Sequence, residues 1–268
     1  MLAVMSLVSG SLAAQSKQPS TYLGFDRNQY PGDENLKALR QTFAFAGFWL
    51  NNPPGEKHQE WKGKRPVVEA AGFGFLVLFN GRLYAELKDE DNAARMGEKD
   101  SKEAVRSARR EGFPAQTIIF LDQEQGGRML PEQTAYIHAW VDGVTAAGFR
   151  AGIYCSGMGA QEGSGESIVT AEDIRQNAGG RTISYFVTND ACPPSPGCTF
   201  PQHPPRPAAS GVGFAEIWQF AQSPRRPDVA AACAASDKRD EECHAPGTTI
   251  HVDLDAATGK DPSGGRRR

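Results

Sequence analysis

Short apolar runs recur along the chain, and the stretches between them bring apolar residues back at helical spacing. The runs predict strands at 22–26, 43–50, 73–80, 117–124, 150–156, 183–189, 216–220 and 250–255. The intervening periodicity predicts helices at 34–41, following Pro31-Gly32-Asp33, and at 64–71, 102–111, 131–147 and 171–177, the last entered through Thr170. Three helices run into a glycine just before the next apolar run, in Gly72-Phe73, Gly112-Phe113 and Gly148-Phe149. Glycine there supplies the left-handed residue that ends a helix and returns the chain to the sheet.

Strand and helix in alternation imply parallel strands, and eight of them can close on themselves. The expected fold is therefore an α/β (β/α)8 TIM-like barrel. Segment 223–247 is rich in Pro, Ala and charge with weak helical period, so the seventh or eighth helix is expected to be irregular. An open doubly wound sheet would carry a glycine-rich phosphate loop after its first strand. Gly72-Phe73-Gly74 lacks the third glycine and the following helix, and reads as packing.

The chain of 268 residues suits one barrel. It divides into a leader at 1–18, a barrel domain at 19–258 and a basic tail at 259–268, ending in Arg266, Arg267 and Arg268 and expected to be disordered. A net charge of −3 gives no global positive field, so neither nucleic acid nor anionic lipid is an expected partner. The leader, MLAVMSLVSGSLAAQS, is apolar and reaches small residues at Ser11, Ala13 and Ala14, which fits export to an extracytoplasmic or secreted location. It lacks the basic start of such signals, and a merely disordered leader is the competing reading. No integral membrane segment is expected in the mature chain, which is taken as a monomer.

Five cysteines accord with export. Cys192 and Cys198 share a Pro-rich loop, while Cys233 and Cys243 flank a charged one, as local disulfide staples would; Cys155 is left over. No CxxC or HxxxH spacing suggests zinc, and neither metal nor cofactor is expected.

In such barrels chemistry gathers where strands end at their C-termini. Here those ends are polar: Asp26, Asn80, Asp122 with Glu124, Asn189 with Asp190, Trp218 with Gln219, and Asp253 with Asp255. The sharpest signal is Asp122-Gln123-Glu124. Residues two apart on a strand face the same way, about 6.5 to 7 Å apart, so both carboxylates can enter one cavity. Glycosidic cleavage uses such a pair, one carboxyl protonated to release the leaving oxygen and the other charged beside the sugar. Glu124, the longer side chain, is expected to be the acid. Capping of the next helix, or pairing with Arg128, is the structural alternative. Among aromatic residues, Trp49, Tyr154, Tyr185 and Trp218 could meet the apolar face of a sugar, and Trp218 is placed nearest the mouth. A nucleophile turn is not met, because Cys155-Ser156-Gly157 lacks the first glycine.

Taken in order, Gly24-Phe25-Asp26, Tyr30-Pro31-Gly32-Asp33, Phe120-Leu121-Asp122-Gln123-Glu124, Tyr136 to Trp140, Gly148-Phe149-Arg150-Ala151-Gly152-Ile153-Tyr154, Ile217-Trp218-Gln219 and Val252-Asp253-Leu254-Asp255 resemble the DUF1906 family of glycoside-hydrolase-like domains. That family is related to the family 25 lysozymes. The resemblance implies a TIM-like barrel and cleavage of a peptidoglycan-type amino-sugar polysaccharide. It also implies Glu124 as general acid, Asp122 as the partner orienting an acetamido nucleophile, and Asp26 and Asp253 in the same catalytic cluster. Tyr154, Gln219, Trp218, Asn80, Asn189 and Asp255 are expected to bind substrate. Arg27-Asn28 and Gln125-Gly126-Gly127 depart from the family pattern. Two functions remain open, an enzyme that cuts such a glycan and an inactive barrel that binds it or serves as an envelope scaffold.

Overall fold

The computed structural model describes residues 20–163, 165–191, 193–198, 200, 203–223 and 243–267. The leader, Cys192, Cys233 and nearly all of 223–247 lie outside the described residues. The eight expected strands are present, at β1 (Tyr22–Asp26), β2 (Phe45–Trp49), β3 (Gly74–Asn80), β4 (Ile118–Asp122), β5 (Arg150–Ser156), β8 (Ser184–Thr188), β9 (Ile217–Ala221) and β10 (Asp253–Ala257). A small hairpin, β6 (Gly159–Gln161) with β7 (Ser167–Val169), was not expected; it is short and partly exposed, with no apolar run to announce it. The barrel is closed in the order β1-β10-β9-β8-β5-β4-β3-β2. The fold is that of a TIM-like α/β barrel, with one departure.

The departure is β10, which runs antiparallel to both neighbours, pairing Asp26 with Asp253 and Gly24 with Asp255. The chain therefore enters β10 at the end where the other strands finish. Asp253 lies at the mouth and Asp255, two residues on, lies deeper. Sequence pattern specifies a strand but not its direction.

The helices are α1 (Leu36–Thr42), α2 (Arg65–Ala70), α3 (Tyr84–Leu87), α4 (Glu90–Glu111), α5 (Pro131–Ala146) and α6 (Thr170–Gln176). Helix α4 begins well before the expected 102. Asp89 caps it by accepting the Asn92 N–H at 2.8 Å, but its first half buries Ala93, Gly97, Asp100 and Ser101, which carry no hydrophobic period. Gly97 lets α5 approach closely, since a Cβ there would lie 2.4 Å from the Tyr136 carbonyl oxygen. Gly112 closes α4 with φ of 81°, and Gly72 and Gly148 turn the same way at their helix ends. Among the described residues, no helix is long and apolar enough to cross a membrane.

Residues 259–267 are not a disordered tail. They wedge under the barrel where β3 and β4 splay, as shown by Ser263: its N–H donates to Phe75 O, its O accepts from Ile118 N–H, and its hydroxyl accepts from Val77 N–H. Asp261 accepts the N–H groups of Phe75, Gly265 and Arg266. The wedge requires glycine at 74, because a Cβ there would fall 1.9 Å from the Lys260 carbonyl oxygen. Arg65, fully buried, donates to Gly265 O at 2.7 Å and lies over the rings of Phe75 and Phe113. A run of basic residues reads as solvated in sequence; backbone groups left open by the splayed strands order it here.

Candidate active site at the barrel mouth

The strand ends converge on a hollow of about 130 Å³ lined by Asp26, Asp122, Glu124 and Asp253, with Tyr154 and Gln219 beside them. These four acids, taken from β1, β4, the loop after β4 and β10, are the ones expected to cluster. Asp122 ends β4 beside Tyr154 of β5, and Glu124 follows it into the open, exposed at the rim. Asp26 needs the glycine beside it on β2: a Cβ on Gly47 would come within 2.5 Å of the Asp26 Cβ. Leu78 and Phe186 also line the hollow.

Gln219 organises the acids. Its amide nitrogen donates to Asp26 Oδ2 at 2.8 Å and to Asp253 Oδ2 at 3.3 Å. Its amide oxygen accepts from the Tyr154 hydroxyl at 2.7 Å and from Gln222 at 3.1 Å. Asp253 also accepts the Ser223 N–H at 2.6 Å. One neutral amide thus spans two carboxyls and a phenol. It orders them without neutralising them.

No lysine or arginine lines the hollow, so burial acts on its acids almost unopposed. Asp26 is pushed up to about 6 by burial, partly offset by the Gln219 hydrogen bond. Asp122 is held well above the usual carboxylate range by burial, then by the negative charge of Glu124 and Asp26, and by a hydrogen bond shared with Glu124. Its Oδ1 is buried and receives no donor among the described residues. Asp253 is raised by burial and by Asp26. Asp255, completely buried behind Asp26, is raised by burial and by the Asp26 and Asp253 charges. Among the described residues, no nitrogen or hydroxyl donor reaches either Asp255 oxygen. The sequence reading expected repulsion to raise one acid of the Asp122–Glu124 pair and chose Glu124. The resolved shift is on Asp122, and the proton belongs to the coupled pair.

Several expected binding residues lie elsewhere. Trp218 is buried on the outer side of β9, donating to Asn189 O at 2.8 Å and meeting the Phe220 ring. Its neighbour Gln219 takes the inward position, as strand alternation requires. Asn189 is buried and donates to Ser210 O at 2.6 Å, so it fastens a loop. Asn80 is tied to Asn51 and Asn52 outside the hollow, and Asp255 does not line it. Tyr185 packs against Phe214, whereas Trp49 does reach the hollow. Asn28 and Gln222 line it without having been marked for binding; no motif distinguishes such amides from loop residues.

The expected local staples are also corrected. Cys198 is bonded to Cys243, across 45 residues, with Cα atoms 5.2 Å apart. That link joins the loop after β8 to the approach to β10. Cys155 is free and buried, its thiol pushed up by burial, which removes it as a nucleophile. Among the described residues, no group of three or more His, Cys, Asp or Glu is arranged to hold a metal ion.

Residues 62–182 match the model of the Rv2525c-like, glycoside hydrolase-like domain family. That segment, from just before α2 to just past α6, is similar to the family's glycoside hydrolase-like domain. No curated protein is significantly similar to it in sequence. Among solved structures, an uncharacterized protein of B. stearothermophilus is similar at 20% identity and TM-score 0.57, covering 88% of this chain and 95% of that one. The Tat-secreted protein Rv2525c of Mycobacterium tuberculosis is similar at 12% identity and TM-score 0.51, covering 89% and 95%. A family 25 glycosyl hydrolase of Streptococcus pneumoniae, named as a virulence factor in host cell invasion, is similar at 12% identity and TM-score 0.54, covering 90% of each chain. At these identities the likeness is one of fold. The barrel of this chain is thus similar in fold to that of a family 25 glycosyl hydrolase.

Proposed function

We propose that this protein is an exported glycoside hydrolase acting on a peptidoglycan-type amino-sugar polysaccharide. The observation that carries the reading is the meeting of Asp26, Asp122, Glu124 and Asp253 around one hollow at the barrel mouth. Glu124, exposed at the rim, is the general acid and protonates the leaving oxygen. Asp122 shares a hydrogen bond with Glu124 and is held well above the usual carboxylate range by burial and by the Glu124 charge, so the pair keeps a proton to a higher pH than an isolated carboxyl would. Its position suits it to accept the N–H of a sugar acetamido group while the acetamido oxygen attacks the anomeric carbon. Asp26, pushed up only to about 6 and bridged to Asp253 by Gln219, offers negative potential to the oxocarbenium-like transition state. The Cys198–Cys243 disulfide supports an extracytoplasmic location, as does the fold shared with a Tat-secreted protein.

A barrel that binds such a glycan without cutting it is the second reading. It is favoured by size, since the hollow of about 130 Å³ is below the roughly 300–1,000 Å³ of ordinary ligand pockets. The deciding assay measures release of reducing ends from peptidoglycan and from chitin-like oligomers. Release by the wild type, abolished in Glu124→Gln with glycan binding preserved, supports the enzyme. Binding without release by the wild type supports the second reading, and undiminished release by Glu124→Gln removes the assigned acid.

A further inference from the structure

A groove of about 710 Å³ lies outside the barrel and shares no lining residue with the acidic hollow. Trp49 and Leu78 line the hollow, while Leu50 and Phe79, one residue on, back the groove. Side chains alternate along a strand, so the two sites lie on opposite faces of the β2–β3 wall. The segment between β2 and α2 forms one bank of the groove and α4 the other. The Gly63 N–H ties the banks together by donating to both Glu111 oxygens at 3.0 Å. Arg82, just after β3, is locked to α4 by donating to Asp100 through Nε at 2.7 Å and Nη2 at 3.0 Å.

What the groove leaves free is positive charge. Its amides are already used. Asn51 pairs with the Asn80 backbone in both directions, at 3.0 and 2.8 Å, and Asn52 donates to Lys57 O at 3.0 Å. Gln59 donates to Trp49 O and accepts the Trp61 N–H. Glu86 and Asp100 are taken by Arg82. Among the described residues, by contrast, the exposed side chains of Lys62 and Arg106 make no hydrogen bond or ion pair. Arg110 donates one bond, to the Ser107 hydroxyl at 3.0 Å, and stands 4.0 Å from Glu111.

The cations are also crowded. Lys102, Arg106 and Arg110 follow at four-residue spacing on α4, which makes each the neighbour of the next at about 5–6 Å between Cβ atoms and costs the helix stability. Glu98 reaches Lys102 only at 3.9 Å, and Glu103, the remaining acid of the groove, forms no ion pair within 4 Å. A bound anion would relieve that repulsion. Phosphate suits the donors, since its charge and several acceptor oxygens match guanidinium forks and an ammonium. A neutral sugar would find the amides occupied. Cations on both banks suit two linked phosphates better than one.

We propose that this groove binds a ligand carrying two or more linked phosphates, a diphosphate or a phosphodiester chain, through Lys62, Arg106 and Arg110. The site does no chemistry and is separate from the mouth acids, so it stands or falls independently of the glycan reading.

The test is calorimetric titration of the full chain with orthophosphate, pyrophosphate and a glycerol phosphate oligomer at one ionic strength. Pyrophosphate or the oligomer is expected to bind at least about tenfold more tightly than orthophosphate, and the tighter of the two identifies the source of the phosphates. Arg106→Gln combined with Arg110→Gln is expected to weaken that ligand at least about tenfold. The melting temperature of the unliganded double variant should be unchanged, because Gln and Arg have similar helix propensities. Lys62→Gln, which leaves α4 intact, is expected to weaken binding about threefold, and Glu103→Gln to strengthen it by a similar factor. Absence of binding by all three probes, equal affinity for orthophosphate, or affinity undiminished in both the double variant and Lys62→Gln overturns the site.

Discussion

The two ends of this barrel hold the same kind of side chain under opposite conditions. At the floor, the Asp261 carboxylate accepts three backbone N–H groups, from Phe75, Gly265 and Arg266, at 2.8 to 3.1 Å. At the mouth, among the described residues, Asp255 is buried with no nitrogen or hydroxyl donor, Asp122 has an unserved oxygen, and one amide, Gln219, is divided between Asp26 and Asp253. A carboxyl saturated with donors is a structural fastener. One starved of them keeps a proton, and its cost to the fold is the kind of cost that functional sites carry. The contrast also extends to the connections. The floor is closed by a short tail lying in the β3–β4 gap, whereas the segment after β8 is joined to the approach to β10 by the Cys198–Cys243 disulfide.

The largest effect should come at the mouth. Glu124→Gln is expected to lower glycan hydrolysis by about 10²- to 10⁴-fold, the usual contribution of a general acid, with the thermal midpoint nearly unchanged, as read by reducing-end release and calorimetric melting. Next is the link across the mouth. Opening Cys198–Cys243 with reductant should cost about 4 kcal/mol on the loop-entropy argument for a closure of 45 residues, measured by denaturant unfolding with and without reductant. At the floor, Asp261→Ala should cost about 3 kcal/mol by stranding buried N–H groups and leave the turnover number untouched. A matching fall in turnover would mean the two ends are not independent.

The smallest expected change is the most specific to the comparison. Asp255 binds its proton more tightly folded than unfolded, so the folded state retains protons that the unfolded chain releases as pH rises. The sign is therefore a loss of stability as pH climbs from the unfolded value of about 4 through the higher folded one. Asp255→Asn removes that slope and supplies donors toward Asp26. It should raise the melting temperature at pH 7 by a few degrees and leave it unchanged near pH 4. A destabilised variant at pH 7 would mean that Asp255 is a fastener like Asp261.

Much of this was legible in the chain. Eight strands, the helix-ending glycines and the meeting of Asp26, Asp122 and Glu124 follow from period and from acids at strand ends, while Asp253 is placed with them by the family resemblance. What escaped the sequence shares a cause: it depends on partners distant in the chain. The antiparallel sense of β10 is not written in its own residues, and it puts Asp253 at the mouth while Asp255 lies deeper. Trp218 was placed at the mouth because it neighbours Gln219, yet adjacent residues on a strand face opposite sides. Residues 259–267 carry no hydrophobic pattern because their order comes from backbone hydrogen bonds to β3 and β4. The cysteine pairing followed the fold rather than the local spacing.

The central claim is that the mouth acids titrate above the ordinary carboxylate range because burial acts on them with few donors in opposition. Carbon-13 NMR titration of the aspartate carboxyl groups measures this directly. Asp26 is expected to titrate with a midpoint near 6, and Asp122, Asp253 and Asp255 above the ordinary carboxylate range. Midpoints near 4 for all of them would contradict the account, leaving the cluster as four ordinary anions with no proton to give.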